Sequence, residues 1–312
     1  MERDVKMTEC QNTIEVKEVY IPPWSEYVAG MHTVFGDYED QYRIQYTPDI
    51  VYCEKNKKLH LQLFTHWTPA IGKKYPLLIH IRGSGWKQQD IYGFLPQLTE
   101  LARCGYIVAS IEYRTIDDGF GFPAQVEDTK TAIHYLMDNA DIYGIDTSRI
   151  AILGDSSGGH TALLTAYSGK GQLCEKADED IEFSIKCVID FFGPTDFTSS
   201  DLTEYPCGID NTLIDSPFNV LLNSAIYKYD DVKKAASPVS YVSNEKALPA
   251  TLIIHGDRDN LVPFPQSVRL YNKLRESSQE VDFYMVRNAA HGAKIWTEQV
   301  MEIVKNFLAA HI

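Results

Sequence analysis

The chain has 312 residues, 44% hydrophobic and 23% charged, the profile of an ordinary globular protein with length for a sizeable core, better read as one α/β domain with an excursion than as two. Its 29 Lys and Arg stand against 43 Asp and Glu, a net charge of −14 that repels phosphate backbones and anionic lipid, which argues against nucleic-acid and membrane partners. The six cysteines, Cys10, Cys53, Cys104, Cys174, Cys187 and Cys207, show no C-x-x-C pair or zinc-ligand spacing, so free thiols and no metal or other cofactor are expected. Met1 to Lys6 carry no apolar leader core and no stretch approaches the roughly 20 apolar residues of a membrane span, so a cytoplasmic location is expected.

Residues 1–45 are polar and aromatic without a sustained period and read as an amino-terminal extension, leaving 46–312 as the main domain. The extension's aromatics, among them Trp24, Phe35 and Tyr42, need cover, either by packing on the domain or by bordering a cleft or subunit interface; a homodimer is one such arrangement. Asp49 to Glu54 and Leu59 to Thr65 alternate around Lys55-Asn56-Lys57-Lys58 and predict an antiparallel hairpin. Leu77 to Ile81 then predicts a buried strand, Leu95 to Arg103 a helix, Tyr106 to Ile111 a strand, and Pro123 to Asn139 a helix with an apolar face. The apolar run Ile150 to Leu153 predicts a central strand, Thr161 to Tyr167 a helix, and Ile185 to Phe192 the next strand. Alternation stops over residues 195–247, whose aromatics argue for a lid-like excursion rather than disorder. Ala250 to His255, a helix from Pro265 to Ser277, Val281 to Val286 and a helix from Ile295 to Ala309 close the chain. Strands alternating with helices imply a mainly parallel sheet covered on both faces.

Between the central strand and its helix lies Gly154-Asp155-Ser156-Ser157-Gly158, a G-x-S-x-G sequence. Such a turn lifts a serine hydroxyl above the sheet edge, and the glycines are needed because side chains there collide with strand or helix. The Ser157 N–H and the helix dipole then point where an oxyanion forms. A serine nucleophile needs a base and a group to orient it, each after a later strand. Asn288-Ala289-Ala290-His291-Gly292 supplies His291, and His255-Gly256-Asp257-Arg258-Asp259 supplies two acids, of which Asp259 is favoured and Asp257 reads as a turn residue. Arg82-Gly83-Ser84-Gly85-Trp86 follows the third strand, where Ser84 and Gly85 are candidate oxyanion donors and Trp86 an anchor of the loop.

These stretches, with Phe122-Pro123-Ala124, Tyr143-Gly144-Ile145-Asp146, Phe192-Gly193-Pro194-Thr195-Asp196 and Ala236-Ser237-Pro238, resemble an α/β-hydrolase esterase with an HGGGW-type loop, nearest the carbohydrate acetyl esterase/feruloyl esterase (BD-FAE-like) branch, over roughly residues 75–310. The resemblance implies Ser156 as nucleophile, Asp259 as acid, His291 as base, and Ser84, Gly85 and Ser157 as oxyanion donors. Arg82 replaces the family's histidine and Ser84 its middle glycine; Arg82 either pairs with a nearby acid or, with Trp86, contacts substrate. His160 and His80 read as packed residues, and Tyr113-Arg114 with Glu127-Asp128 as a polar network at the sheet edge. The expected activity is a serine carboxylesterase acting on short acyl or hydroxycinnamoyl esters of small molecules or oligosaccharides. The alternatives are an arylformamidase or peptidase of the same fold, or a ligand-binding protein without turnover.

Overall fold

In the computed structural model the hairpin is β1 (Ile44–Cys53) and β2 (Leu59–His66), longer than its alternating core because Ile44 already pairs with His66. Then come β3 (Tyr75–Ile81), α1 (Leu95–Arg103), β4 (Ile107–Ile111), α2 (Ala124–Asp138), α3 (Ala140–Tyr143), β5 (Ile145–Asp155) and α4 (Ser157–Tyr167). β6 (Ile185–Phe191) leads to the excursion, which holds the short helices α5 (Asp201–Glu204), α6 (Pro217–Leu222) and α7 (Tyr229–Ala235). β7 (Ala250–Gly256), α8 (Pro265–Glu276), β8 (Val281–Val286) and α9 (Glu298–His311) complete the chain.

The structure describes residues 28–32, 34, 43–67, 72–204, 215–222 and 229–312. It divides into two units, Met1–Tyr38 and Glu39–Ile312. Most of the predicted extension, and with it the question of what covers its aromatics, lies outside the described residues, as do Tyr205, Pro206 and Tyr227 of the excursion.

The second unit is built on an eight-stranded sheet of order β1-β2-β4-β3-β5-β6-β7-β8, antiparallel at β1/β2 and β2/β4 and parallel from β4 to β8. That is the α/β-hydrolase arrangement. Along β5 the side chains alternate: Ile150 and Ile152 pack with Ala132, Ile133 and Leu270 on one face, and Ala151 and Leu153 pack with Leu98, Val304 and Leu308 on the other. Because both faces are covered, the strand reads as an unbroken apolar run. A third cluster, which includes Trp86, Phe197, Phe218 and Leu221, joins the excursion to the loops above the sheet.

Two boundaries differ from the sequence reading for local reasons. Helix α4 begins at Ser157, four residues before its apolar run, because Gly158 and Gly159 are helical despite their poor propensity. Helix α9 begins at Glu298, where Thr297 caps it by accepting the Val300 N–H (3.3 Å), while Ala293–Ile295 forms a separate 3₁₀ turn. Among the described residues no helix is long and apolar enough to cross a membrane.

Candidate active site

Ser156 stands at the tip of the turn between β5 and α4 with φ 54° and ψ −124°, a backbone region that costs a non-glycine residue about 1–3 kcal/mol. Its surroundings hold it there. The Ser156 N–H donates to the Phe191 carbonyl (2.8 Å), and the Ser156 carbonyl accepts from the His160 N–H (3.0 Å). A Cβ at Gly158 would strike the Ile81 carbonyl of β3, and one at Gly154 would strike the Gly158 carbonyl, so the two glycines let three backbone segments close on the serine.

The Ser156 hydroxyl donates to His291 Nε2 (2.8 Å), and His291 Nδ1–H donates to Asp259 Oδ2 (2.7 Å). Asp259 is fully buried, and its other oxygen accepts the N–H groups of Leu261 (2.8 Å) and Val262 (2.9 Å). Burial alone would raise its pKa. Hydrogen bonds from His255 and His291 outweigh that and hold the carboxyl well below the usual carboxylate range, so it is ionised at neutral pH. Asp257 sits where a turn residue would: its carboxylate accepts the Asn288 N–H (2.6 Å) and ties the end of β7 to the loop that carries His291.

The loop after β3 turns tightly through Gly85 (φ 65°) and Trp86 (φ 58°), the consecutive left-handed pair of a type I′ turn, with a long Lys87 N–H to Ser84 carbonyl bond of 3.4 Å. The buried Trp86 ring offsets the strain by packing against Phe197, Phe218 and His160, and its Nε1–H donates to His160 Nδ1 (3.2 Å). His160 in turn donates Nε2–H to the Ala236 carbonyl (2.7 Å), which links loop, elbow helix and excursion. Burial pushes the His160 pKa down to about 4, so it is neutral in this relay. Trp86 thus lines the pocket as a buried wall, 2% exposed, rather than as a free substrate platform.

Arg82 pairs with Asp155 and lies over the Phe94 ring at 4.2 Å, while Asp155 also accepts the Gly83 N–H (3.0 Å). Arg82 thus makes the acid pairing expected of it, and it also lines the pocket that holds Ser156. Ser84 departs from expectation. Its N–H donates to Ser157 Oγ (2.9 Å), so this candidate oxyanion donor is engaged within the protein. Its hydroxyl donates to the Lys87 carbonyl (2.6 Å) and meets Tyr113 OH (3.1 Å), which also donates to the Arg82 carbonyl (3.1 Å). Among the described residues the N–H groups of Gly85 and Ser157 have no acceptor in the protein, and both line the pocket.

That pocket, about 440 Å³, has Ser156 and His291 in its base and Phe192, Pro194, Pro217, Phe218, Leu261 and Val262 as its apolar side. The excursion contributes Pro217 and Phe218. The site resembles in arrangement the serine hydrolase geometry in which a hydroxyl, an imidazole and a buried carboxylate lie in line beside backbone N–H donors.

The BD-FAE family model matches residues 66–274, from the end of β2 into α8, with Ser156 and Asp259 inside the match. The chain belongs to the BD-FAE family. Among curated relatives, this BD-FAE chain is 28% identical over 271 residues to esterase LipQ of Mycobacterium tuberculosis, covering 84% of itself and 62% of that protein. It is 29% identical over 224 residues to esterase LipC of the same organism, covering 70% of itself and 53% of the relative. The chain therefore spans a little over half the length of these relatives. A truncated carbohydrate esterase from gut microbiota superposes with TM-score 0.71 at 27% identity, over 88% of this chain and 99% of that one. Esterase 2 of Thermogutta terrifontis, at 21% identity and TM-score 0.71 over 84% and 94% of the two chains, shares the fold.

His255 and Phe192 carried no role in the sequence reading, and Tyr113, expected in a polar network with Arg114, Glu127 and Asp128, leaves that network to Arg114, which pairs with both acids (2.8 Å each), and turns its hydroxyl to the loop after β3. His255 donates from Nε2 to Asp259 Oδ2 (3.2 Å) and the Val262 carbonyl (3.1 Å), with Nδ1 accepting from Ser267 (2.7 Å), and so orients the acid. Its position four residues before Asp259 was the only local signal. Phe192 (φ 45°) packs edge-on against the His291 ring at 4.5 Å, and Tyr113 OH donates to the Arg82 carbonyl (3.1 Å) in the loop after β3. Their partners are remote in sequence, so no spacing pointed to them.

Proposed function

We propose that this BD-FAE chain is a serine carboxylesterase. The observation that carries the reading is the line of contacts from Ser156 Oγ to His291 Nε2 (2.8 Å) and from His291 Nδ1 to a buried, ionised Asp259 (2.7 Å) at the base of an apolar pocket. His291 removes the Ser156 proton as Oγ attacks the ester carbonyl, and the tetrahedral oxyanion accepts hydrogen bonds from the N–H groups of Gly85 and Ser157. His291 then gives the proton to the leaving alcohol, and water repeats the cycle on the acyl-enzyme. Asp259 keeps the imidazole in the tautomer that presents Nε2 to the serine.

The proposed substrates are short acyl, chiefly acetyl, or hydroxycinnamoyl esters on carbohydrate or plant-derived alcohols. Family membership and the likeness to a carbohydrate esterase support that class. The test is hydrolysis of para-nitrophenyl acetate, butyrate and octanoate and of methyl ferulate by the protein and by Ser156→Ala. The reading predicts Ser156-dependent turnover that falls steeply with acyl length or favours ferulate. No Ser156-dependent turnover of any ester would overturn it and bring forward a binding protein of the same fold.

A further inference from the structure

A second cavity, about 490 Å³, opens at the other end of β5 from Ser156. Thr147 and Ser148 near the start of that strand line it, so roughly 25 Å of extended chain separates it from the nucleophile. Helix α2 contributes Lys130 and Met137 to its walls, the end of α4 contributes Ser168, and the loop between α4 and β6 forms the outer side.

Two polar groups in these walls have no part in the chemistry at Ser156. Lys130 is 5% exposed, and its ammonium donates to the carbonyls of Gln172 (2.6 Å) and Gly169 (3.5 Å), two of its three donors. Burial pulls its pKa down to about 8. Ser168, in the same wall, has a buried hydroxyl with no hydrogen-bond partner among the described residues.

The lining also limits what fits. Its charges balance, Lys130 and Lys170 against Asp178 and Glu182, so neither an anion nor a cation is selected. Lys170 pairs with Glu182 (2.8 Å), and Asp178 accepts from Thr131 (2.7 Å) and meets His134 (3.1 Å). Half-buried Phe183, with Met137 and Ile181, supplies an apolar wall that includes a ring, while Ser148 and Ser184 add hydroxyls. The Ser148 hydroxyl already donates to Asp146 (2.6 Å), but an alkyl chain would leave the third Lys130 donor and the Ser168 hydroxyl without partners. A neutral polyhydroxylated ring meets both demands, with an apolar face for Phe183 and hydroxyls that donate and accept.

We infer that this cavity is a binding site for a neutral sugar, held by Lys130 and Phe183 and separate from the Ser156 pocket. The inference does not depend on the catalytic reading. Xylobiose, a neutral disaccharide, is titrated calorimetrically into the full chain and into Lys130→Met and Ser184→Trp. Ser184 is exposed at the cavity, so its variant fills the mouth without touching the core and keeps the test valid should Lys130→Met fail to fold. Binding with Kd on the order of 1 mM is expected, weakened about tenfold or more in both variants. Ester hydrolysis in the same samples stays within about twofold of the parent protein and reports separately on Ser156. No binding to the parent protein overturns the inference. So does binding that both folded variants leave unchanged, since the sugar would then sit elsewhere.

Discussion

At the scale of single residues the site depends on groups that are each held by several others. Asp259→Asn keeps an acceptor for the Leu261 and Val262 N–H groups but removes the charge that fixes the His291 tautomer. Its kcat should fall on the order of 10³–10⁴-fold, measured on para-nitrophenyl acetate. Ser157→Ala removes the acceptor of the Ser84 N–H and frees the loop that presents Gly85. A kcat loss of about tenfold with KM nearly unchanged is expected, because the loop is needed chiefly when the oxyanion forms. An unchanged kcat would show that Ser84 and Tyr113 hold the loop without Ser157. Asp190, beside Gly154 in the sheet, is a different case. Burial pushes its pKa up to about 7 although its Oδ1 accepts the Gly193 N–H (3.0 Å), and its Oδ2 has no partner among the described residues, which suits a protonated acid. The native state therefore holds a proton that the unfolded chain releases above its ordinary carboxylate pKa. The resulting stability is present at low pH and lost as pH rises to about 7. Asp190→Asn should flatten that slope in denaturant titrations across this window, whereas Asp190→Ala, which strands the Gly193 N–H, should cost about 1–3 kcal/mol.

At the scale of elements, the elbow, the loop after β3 and the excursion are joined through His160. Trp86→Phe keeps the ring contacts but leaves His160 Nδ1 without its donor, and a loss of about 1–3 kcal/mol is expected in urea titration. The eight strands and helices α1, α2, α4, α8 and α9 were legible in the sequence because each is strongly patterned, as with Leu77 to Ile81 or the face of α2 that carries Val126, Ile133 and Leu136. Helix α3 and the short helices α5, α6 and α7 of the excursion, of four to seven residues, are too short to show a period. The meeting of Ser156, His291 and Asp259 was legible because each follows a strand in a short, recognisable turn. The engagement of the Ser84 N–H was not legible. It depends on Ser157 Oγ and Tyr113 OH arriving from two other elements, and a glycine-rich loop looks the same in sequence whichever way its N–H groups turn. Which acid Arg82 pairs with was likewise not legible, because Asp155 comes beside it only when β3 and β5 lie side by side.

At the scale of the whole molecule, buried titratable groups give opposing pH dependences. Burial lowers the pKa of His80 to about 3 and of His160 to about 4, so the native state refuses protons that the unfolded chain takes up. Their contribution is full above the ordinary histidine pKa and is lost as pH falls through it towards those values, opposite in sign to Asp190. His160→Asn should therefore reduce the acid-side loss of stability, provided the mutant is compared with its own value at neutral pH. The sheet order places Ser156, Asp259 and His291, which are far apart in the chain, at the same edge of adjacent strands β5 to β8. The most direct test is reaction of the protein with a fluorophosphonate, followed by intact-mass and peptide mass spectrometry. The account predicts one adduct, on Ser156, absent from Ser156→Ala and formed far more slowly in His291→Ala. Labelling at another residue, or none in folded protein, would contradict it.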